Sequence, residues 1–372
     1  MITKKRLFKW GVPIINYKKD VEYHPNIYNN LQKRFKYSIK SLKSKKILLV
    51  GAGTLGNEIT KNLILSGVQH LTIVDMEIYV IENLPRSTLI TEEDIQKSKS
   101  ERLSLRAIEK SPFSLEIDSI HADITKMGFG FLDRFDLVIT GVDNIAARYW
   151  VNHGCVLLGI SHITLGTANL GDANSGNVVY IPGNVECACL ECIWGSQLRN
   201  EMEKRLKCSD KDEINVIQPQ VMTFSSIIAG IASNLAIQIL TVKNIRNEAF
   251  QLRTSNNGVT QIFTYKLGNN CFVHKNLHSY NISTINIKKN DSFKDLYQKL
   301  KYILGYEPLE KNFQIDLKVS EVHFIVYRTN KARSVLFVDF DDESKITEEN
   351  WFYHDHIYKI KDSNNYLRII IK

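Results

Sequence analysis

This chain of 372 residues lacks the features that mark several simple classes of protein. Its longest apolar run, 221–242, is interrupted by serine, asparagine and glutamine, whereas a membrane span needs about 20 nearly continuous apolar residues. No apolar core follows the first basic residues, so we expect no signal peptide and a cytoplasmic location. No internal repeat or low-complexity tract is present. With 44% hydrophobic and 24% charged residues, the composition is that of a folded protein.

An excess of one sign of charge is also missing, except near the amino terminus. Residues 1–45 contain 12 Lys and Arg against 2 Asp and Glu, a larger excess than the net +8 of the whole chain. The remainder is therefore close to neutral, and a uniform nucleic-acid-binding surface is not expected. We interpret 1–45 as a basic, solvated N-terminal segment. Contact with an acidic partner or a nucleotide is the alternative.

Short apolar runs alternate with helical patterns from residue 46 to residue 280. The run Lys46–Val50 precedes the turn Gly-Ala-Gly-Thr-Leu-Gly at 51–56, and a helical pattern and a second apolar run follow. Further predicted elements are a helix at 94–110, strands at 114–120 and 135–140, a helix at 146–158, a strand at 176–182 and a long helix at 221–240. This alternation predicts an α/β fold: a Rossmann-like, mostly parallel sheet with helices on both faces. Residues 281–372 have a different pattern, with a helix predicted at 292–304 and strands at 285–288, 322–327, 334–340 and 367–371. They predict a small separate α+β domain.

The glycine-rich turn predicts a phosphate-binding site. Glycines at 51, 53 and 56 let backbone N–H groups approach a phosphate at the start of a helix. Asp75 lies 19 residues after Gly56, at the end of the second strand, where its carboxylate can accept hydrogen bonds from both ribose hydroxyls. ATP-binding and NAD-binding proteins share these features. They predict an adenine nucleotide without choosing between the two.

Charged residues beyond the ends of the strands favour phosphate chemistry. Arg86 follows Asp75, Lys99 lies on the charged helix, and Asp143 follows the buried strand at 135–140. Open α/β sheets place their ligands at these positions. The two cations could neutralise a triphosphate, and the carboxylate could hold Mg²⁺. Hydride transfer does not need this set, whereas phosphoryl chemistry does.

These motifs together resemble one known group of enzymes. The glycine-rich turn, the acidic residue, Asn-Leu-Pro-Arg at 83–86, the helix lysine and Asp-Asn-Ile-Ala-Ala-Arg at 143–148 occur in the order seen in the ThiF, MoeB and ubiquitin-activating superfamily. The resemblance covers about residues 46–280. It implies a homodimeric enzyme that uses ATP to adenylate the carboxyl terminus of a small protein or peptide. Two departures are Ser87, where the family usually has Gln, and Gln96, near a usual Gly.

The resemblance also implies a role for each motif residue. The nucleotide contacts it implies are Gly51, Gly53 and Gly56 beside ATP, Asp75 on the ribose, Asn83, Arg86 and Lys99 on the phosphates, and Asp143 on Mg²⁺. Adenylation should depend most on Asp143. The chemistry requires such a set because a carboxylate must attack a phosphate, and both groups are anions. Fixed cations lower their repulsion and stabilise the charge that develops on pyrophosphate.

Three of the six cysteines lie within 187–192, and in a cytosolic chain this clustering fits metal binding or thiol chemistry better than a disulfide framework. Cys189 and Cys192 resemble the first half of the family's zinc site, and Cys271 with His274 stands where the second half is expected, 79 residues after Cys192. The family usually has a fourth cysteine at the last position, but Zn²⁺ also accepts Cys₃His. The resemblance implies a structural zinc. A degenerate site, or Cys187 as the true ligand, is the alternative.

Cys208 lies where related enzymes carry the thiol that accepts the activated carboxyl group. Neighbouring Lys204, Arg205 and Lys207 would lower its pKa and favour the thiolate. An incidental loop cysteine is the alternative. The domain at 281–372 has a pattern similar to the ubiquitin-like fold that recruits a conjugating enzyme in some activating enzymes. A substrate-docking or dimer-supporting appendage is the other interpretation.

The sequence thus predicts an ATP-dependent adenylyltransferase that uses Mg²⁺ and carries structural zinc. Its expected partner is a ubiquitin-like or sulfur-carrier protein, or a ribosomally made peptide, and thioester transfer to Cys208 could follow. Nucleic acid and membrane are not expected partners. Two alternatives stay open: an NAD-dependent oxidoreductase, and a non-catalytic scaffold subunit of an activating-enzyme pair.

Overall fold

A computed structural model gives the structure of the chain. The described residues are 2–9, 12–22, 26–27, 29, 33, 39–170, 173–195, 222–242, 247–255, 260–269, 271–275, 281–288, 299, 302, 314–316, 334–336, 356–360 and 365–371. Within these ranges the strands form one sheet of ten strands and one of five.

The ten-stranded sheet has a parallel centre. Its strands, in chain order, are β1 Ile2–Lys9, β2 Val12–Lys19, β3 Lys46–Val50, β4 His70–Val74, β5 Leu115–Ile120, β6 Leu137–Thr140, β7 Ser161–Leu170, β8 Ala173–Ile181, β9 Ala249–Ser255 and β10 Thr260–Tyr265. Their spatial order is β1-β2-β5-β4-β3-β6-β7-β8-β9-β10, and the five strands from β5 to β7 are parallel. The order of these five reverses between β3 and β6, which makes that gap the switch point of a doubly wound sheet.

Helices cover both faces of this sheet, as predicted. The α-helices are α1 Ile39–Leu42, α2 Thr54–Leu65, α3 Lys99–Lys110, α4 Ile145–Leu158, α5 Leu190–Trp194, α6 Met222–Thr241 and α7 Phe272–Lys275. Side chains of α2, α3 and α6 pack in one apolar cluster, and those of α4, α5 and α7 pack in a second. Alternate residues of the central strands enter the two clusters because successive side chains of a strand point to opposite faces. The predicted fold class is therefore confirmed.

The expectation of a solvated basic segment agrees with the exposed strand β1 but is wrong for strand β2. The two strands form the hairpin β1–β2, and β2 pairs antiparallel with β5 at the edge of the parallel centre. Ile14 and Tyr17 of β2 are buried, and the Tyr17 hydroxyl donates to Glu101 of α3. Lys4 of β1 also binds Glu101, at 2.8 Å. Most of the described basic residues that the charge count detects are exposed, whereas the buried apolar residues of β2 decide where the hairpin packs.

Helix α6 is long and apolar enough to cross a membrane by length and composition alone. Ile228, Ala232 and Ala236 are fully buried, however, and the helix contacts α2, β7 and β8. Small residues such as Ala232 and Ala236 allow close approach between α6 and its neighbours. This is the packing of a core helix in an α/β domain.

The five-stranded sheet contains the C-terminal strands. They are β11 Asn281–Ile287, β12 Gln314–Asp316, β13 Ser334–Leu336, β14 His356–Ile360 and β15 Asn365–Ile371, in the order β11-β15-β14-β12-β13. The first strand pairs parallel with the last. Of the helix predicted at 292–304, only Lys299 and Tyr302 are described, and both are helical; the strand predicted at 322–327 lies outside the described residues. The boundary at 280 stays a prediction.

Gln96 is the only non-glycine residue with a positive φ in the described structure, at 61°. It lies between Tyr79, whose carbonyl accepts its N–H, and the start of α3. The left-handed region costs a residue with a Cβ about 1–2 kcal/mol, and Gly avoids that cost. The strained residue thus lies near the place where the sequence analysis expects a glycine.

Replacing Gln96 with Gly is therefore expected to stabilise the protein by about 0.5–1 kcal/mol, because relief of strain exceeds the extra entropy of the unfolded chain. The Gln96 side chain is exposed, so its loss costs little. Urea unfolding measures the change. Gln96→Ala keeps the Cβ and serves as the control; equal midpoints for both variants would contradict the strain.

Candidate functional site

The glycine-rich turn and the segment after β6 meet at the switch point. The Gly51 N–H donates to Val74, and the Gly141 N–H donates to Val50. Gly51 has a φ of 102°, and a Cβ there would lie 2.8 Å from the Gly141 carbonyl oxygen. Only glycine permits this approach. The contact holds the turn against Gly141, which lies two residues before Asp143 in the chain.

The other two predicted glycines have different environments. A Cβ on Gly56 would lie 2.1 Å from the Gly51 carbonyl oxygen, so Gly56 permits close packing of α2 on the turn. A Cβ on Gly53 would meet no atom within 4 Å. Gly53 caps α2 without a side-chain hydrogen bond to the first N–H groups of that helix. Open space beside the N-terminus of a helix suits an anion such as a phosphate.

Asp75 lies directly beyond β4, on one side of this turn. Its Oδ2 accepts the Ala52 N–H at 2.7 Å, and its Oδ1 accepts the Glu77 N–H at 2.8 Å. Burial raises the pKa of the Asp75 carboxyl group, against the opposing effect of these donors and of the Lys99 charge. The carboxylate is fixed at the end of the strand, where the sequence places a ribose contact.

Lys99 lies at the first position of α3, close to Asp75. Its Nζ binds Glu77 Oε2 at 2.5 Å and lies 5.9 Å from the centre of the Tyr79 ring. The Lys99 N–H also donates to the Glu77 carbonyl. Glu77 therefore positions Lys99, the residue predicted to contact a phosphate. No motif in the sequence marks Glu77 as a site residue, although its place two residues after Asp75 was a signal.

Asn83 and Arg86 lie on the 3₁₀ helix Ile81–Arg86. Asn83 is buried, and its Oδ1 accepts the Val80 N–H at 3.0 Å. This hydrogen bond gives Asn83 a structural task besides its predicted phosphate contact. Arg86 is half-buried. Among the described residues, no hydrogen bond joins Arg86 or Asp143 to Asp75 or Lys99. The β4 side and the β6 side of the site are connected through the close approach of Gly51 to Gly141.

Asp143 is exposed at the entrance to helix α4. Asn144 caps this helix, with Oδ1 accepting the N–H groups of Ala146 and Ala147. Arg148 on the next turn donates to the carbonyl of Val142 and to Thr164 Oγ1. The guanidinium is buried, and burial lowers the pKa of Arg148 to about 10, so it stays charged at neutral pH. Arg148 therefore fixes the backbone that carries Asp143.

A buried polar chain continues from Arg148 across the sheet. Thr164 of β7 lies beside Thr140 of β6, and Thr140 Oγ1 is 2.7 Å from His162 Nε2. The sequence favours a structural role for His162 over a place beside the substrate cleft. Burial and the Arg148 charge lower the pKa of His162 to about 3, so the imidazole is neutral at physiological pH. This histidine is structural.

Stability should therefore fall in acid, because the unfolded state binds a proton at His162 that the folded state excludes. The pKa of an unfolded histidine is about 6.5, so at pH 5 the loss is about 2 kcal/mol, and it grows until the pH nears 3. Urea unfolding at several pH values measures this slope. His162→Gln keeps a hydrogen-bonding group that does not titrate and should flatten the slope; parallel profiles would contradict the assignment.

The structure brings Cys189, Cys192, Cys271 and His274 together, with ligand atoms within 4.8 Å of one another. The Cys189 Sγ atom lies 3.9 Å from that of Cys192 and 3.5 Å from that of Cys271. Nδ1 of His274 lies 3.1 Å from the Cys271 Sγ atom. Hydrogen bonds from the neighbouring thiols lower the pKa of Cys192, which favours the thiolate that a metal binds.

These separations fit a tetrahedral zinc ion. Sulfur ligands about 2.3 Å from the metal would lie about 3.8 Å from one another. The Gly268 N–H also donates to the Cys192 sulfur at 3.3 Å. Four protein ligands leave no open coordination position, as in structural rather than catalytic zinc sites.

The remaining cysteines lie apart from this cluster or are not described. The Cys187 thiol contacts the Asn247 carbonyl oxygen at 3.3 Å, which disfavours it as the fourth ligand. Cys155 is fully buried in α4, as expected of a core residue. Cys208 and the basic residues around it lie outside the described residues.

Comparison with known proteins finds relatives among activating enzymes and adenylyltransferases. The model of the ThiF family matches residues 27–271. SUMO-activating enzyme subunit 2 of Dictyostelium discoideum is 37% identical over 150 residues, which are 40% of this chain and 22% of that protein. Adenylyltransferase and sulfurtransferase MOCS3 of Caenorhabditis briggsae is 31% identical over 158 residues, 42% of this chain and 38% of that protein. The chain thus matches less than two-fifths of the length of either relative.

Solved structures share the fold at lower identity. Escherichia coli MccB crystallised with ATP superposes with a TM-score of 0.54 at 18% identity, over 68% of this chain and 75% of MccB. PaaA superposes with a TM-score of 0.52 at 16% identity, over 67% of this chain and 87% of PaaA. Because the family model matches more than half of the residues, this chain belongs to the ThiF family.

Proposed function

We propose that the chain uses ATP and Mg²⁺ to adenylate the carboxyl terminus of a small ubiquitin-like or sulfur-carrier protein, or of a ribosomally made peptide. The carboxylate oxygen would attack the α-phosphorus, the bond to the bridging oxygen of the β-phosphate would break, and pyrophosphate would leave. The relatives support this reaction class, since they include activating-enzyme subunits and an adenylyltransferase. MccB has been crystallised with ATP and with MccA.

One observation carries the proposal: the glycine turn lies between two charged segments at the switch point. Asp75 and Lys99 are on the β4 side, and Asp143 is on the β6 side. A triphosphate beside Gly53 would have a carboxylate for its ribose at one end and a carboxylate for its cation at the other. This arrangement suits a nucleotide whose phosphate is the reacting group.

Each side chain then has a task that its position supports. Asp75 accepts hydrogen bonds from the ribose hydroxyls, while Arg86, Lys99 and Asn83 contact phosphate oxygens. Bound Mg²⁺, held through Asp143, would supply charge neutralisation at the phosphates. The N–H groups at the start of α2 add donors that need no reorganisation.

The zinc cluster has a supporting task in this proposal. Zinc bound by its three thiolates and one imidazole would join the segment after β8 to the segment after β10. Since no coordination position is open, it would stabilise the fold and take no part in adenylation.

The proposal favours ATP over the nicotinamide alternative. ATP with Mg²⁺ should raise the thermal midpoint, with a stabilisation of about 2.7 kcal/mol at 100 times its Kd, whereas NAD⁺ should not. Exchange of labelled pyrophosphate into ATP, dependent on a protein or peptide with a free carboxyl terminus, then tests the chemistry. Stabilisation by NAD⁺ alone would overturn the proposal, and ATP binding without any AMP formation would favour the scaffold subunit.

The later steps form a finer proposal. The acyl group passes to Cys208 with release of AMP, the homodimer completes the site, and the C-terminal domain recruits a conjugating enzyme. An adduct that dithiothreitol cleaves by thiol exchange, present on the wild type and missing from Cys208→Ala, would support the thiol step. An adduct of equal amount on the variant would exclude Cys208 as the acceptor.

A further inference from the structure

Helix α4 is tied to the zinc cluster by two buried hydrogen bonds. The Tyr149 hydroxyl donates to Glu191 Oε2 at 2.6 Å, and the Leu190 N–H donates to Asn152 Oδ1 at 2.9 Å. Tyr149 and Asn152 are three residues apart and so lie on one face of the helix. Both are fully buried, and Glu191 is 3% exposed.

Glu191 connects the two halves of the cluster. It lies between Cys189 and Cys192 in the chain, and its Oε2 also accepts the Val273 N–H at 3.3 Å. Val273 lies between Cys271 and His274. One carboxylate oxygen therefore contacts the helix and the segment that carries Cys271 and His274, while the chain itself joins Glu191 to Cys189 and Cys192. Partners of this kind orient metal ligands, and their loss commonly reduces metal affinity by about 10–100-fold.

The same helix carries the nucleotide segment at its other end. Asn144 caps α4, and Arg148, directly before Tyr149, holds the Val142 carbonyl. From Asn144 to Asn152 the helix rises about 12 Å, with no proline or glycine between them. A shift at Tyr149 would therefore move the backbone that carries Asp143.

We propose that the zinc centre positions Asp143 through helix α4, with Tyr149, Asn152 and Glu191 as positioning residues. This inference rests on the proposed function for the identity of the nucleotide. Loading of the metal fixes Glu191, Glu191 fixes α4, and α4 fixes the segment that binds ATP and Mg²⁺. By linkage, nucleotide binding must in turn tighten zinc binding by the same factor.

The test measures zinc release at equilibrium instead of turnover. The zinc-loaded full-length protein is equilibrated with pyridylazoresorcinol, with and without saturating ATP and Mg²⁺. We expect the nucleotide to tighten zinc binding about fivefold or more in the wild type, so that less zinc passes to the chelator. In Tyr149→Phe, zinc binding should be about tenfold weaker, and the nucleotide should protect far less.

Tyr17→Phe is the matched control, because it removes a second buried tyrosine hydroxyl that donates to a carboxylate, Glu101, away from zinc and α4. It should retain wild-type release and protection. If Tyr149→Phe does not fold, Asn152→Ala carries the same test. Wild-type ATP binding without protection, or full protection in the folded variant, would overturn the coupling alone. Failure of the wild type to bind ATP in calorimetry would overturn the proposed function as well.

Discussion

Replacing Asp143 with Ala is expected to lower carboxylate-dependent pyrophosphate exchange by about 100-fold or more, while ATP still binds. The physical reason is the loss of the carboxylate proposed to hold the cation at the phosphates. Binding is retained because the contacts of Asp75 and the glycine turn are unaffected. Exchange of labelled pyrophosphate and calorimetry with ATP measure the two effects separately.

The structure also makes this variant a fair test. Asp143 is exposed, and the cap of α4 belongs to Asn144, so the helix should persist without the carboxylate. Asp20→Ala is the control, since Asp20 is an exposed aspartate whose contact is Lys18 at 3.7 Å. Unchanged exchange in Asp143→Ala would remove Asp143 from the site.

Replacing Cys189 with Ser is expected to release zinc and lower the thermal midpoint by about 10 °C or more. Cys189 is fully buried and close to both Cys192 and Cys271, so the change affects both halves of the cluster. Structural zinc contributes many kcal/mol in small domains, and a loss of about 4 kcal/mol would produce this shift. Metal analysis and calorimetry measure the two quantities.

Cys187→Ser provides a control two residues away. Its thiol contacts a backbone carbonyl outside the cluster, and a serine hydroxyl can make the same contact. We expect full zinc content and an unchanged midpoint. If this variant lost zinc and Cys189→Ser kept it, the ligand set read from the structure would be wrong.

The parallel centre of the fold could be predicted from the sequence because its signals are local. A strand of five residues, a glycine turn and a helix have patterns that neighbouring residues determine. The antiparallel strands were harder to predict. Residues Val12–Lys19 form a strand because β5 offers an open edge, and that edge exists only after the centre has folded.

The contacts that support the site could not be predicted, for a related reason. Glu77, Arg148 and Glu191 each act through a partner, such as Lys99 or Tyr149, and in two of these pairs the partner is distant in the chain. A charged residue in a sequence gives no sign of which cation or carbonyl it will meet. Gln96 shows the opposite case. Its place near a usual glycine was visible in the sequence, and its positive φ explains why glycine suits this part of the chain.

The sequence by itself determined the reaction class that we propose and the residue types that would perform it, because glycine, carboxylate and ammonium groups have their chemistry before folding. Only the tertiary structure decided which groups meet. The switch point between β3 and β6 places Gly51 against Gly141, and packing of α4 connects the zinc ligands to the Asp143 segment. These contacts join residues up to 90 positions apart in the chain, and the burial of two apolar clusters, rather than any local preference, holds them together.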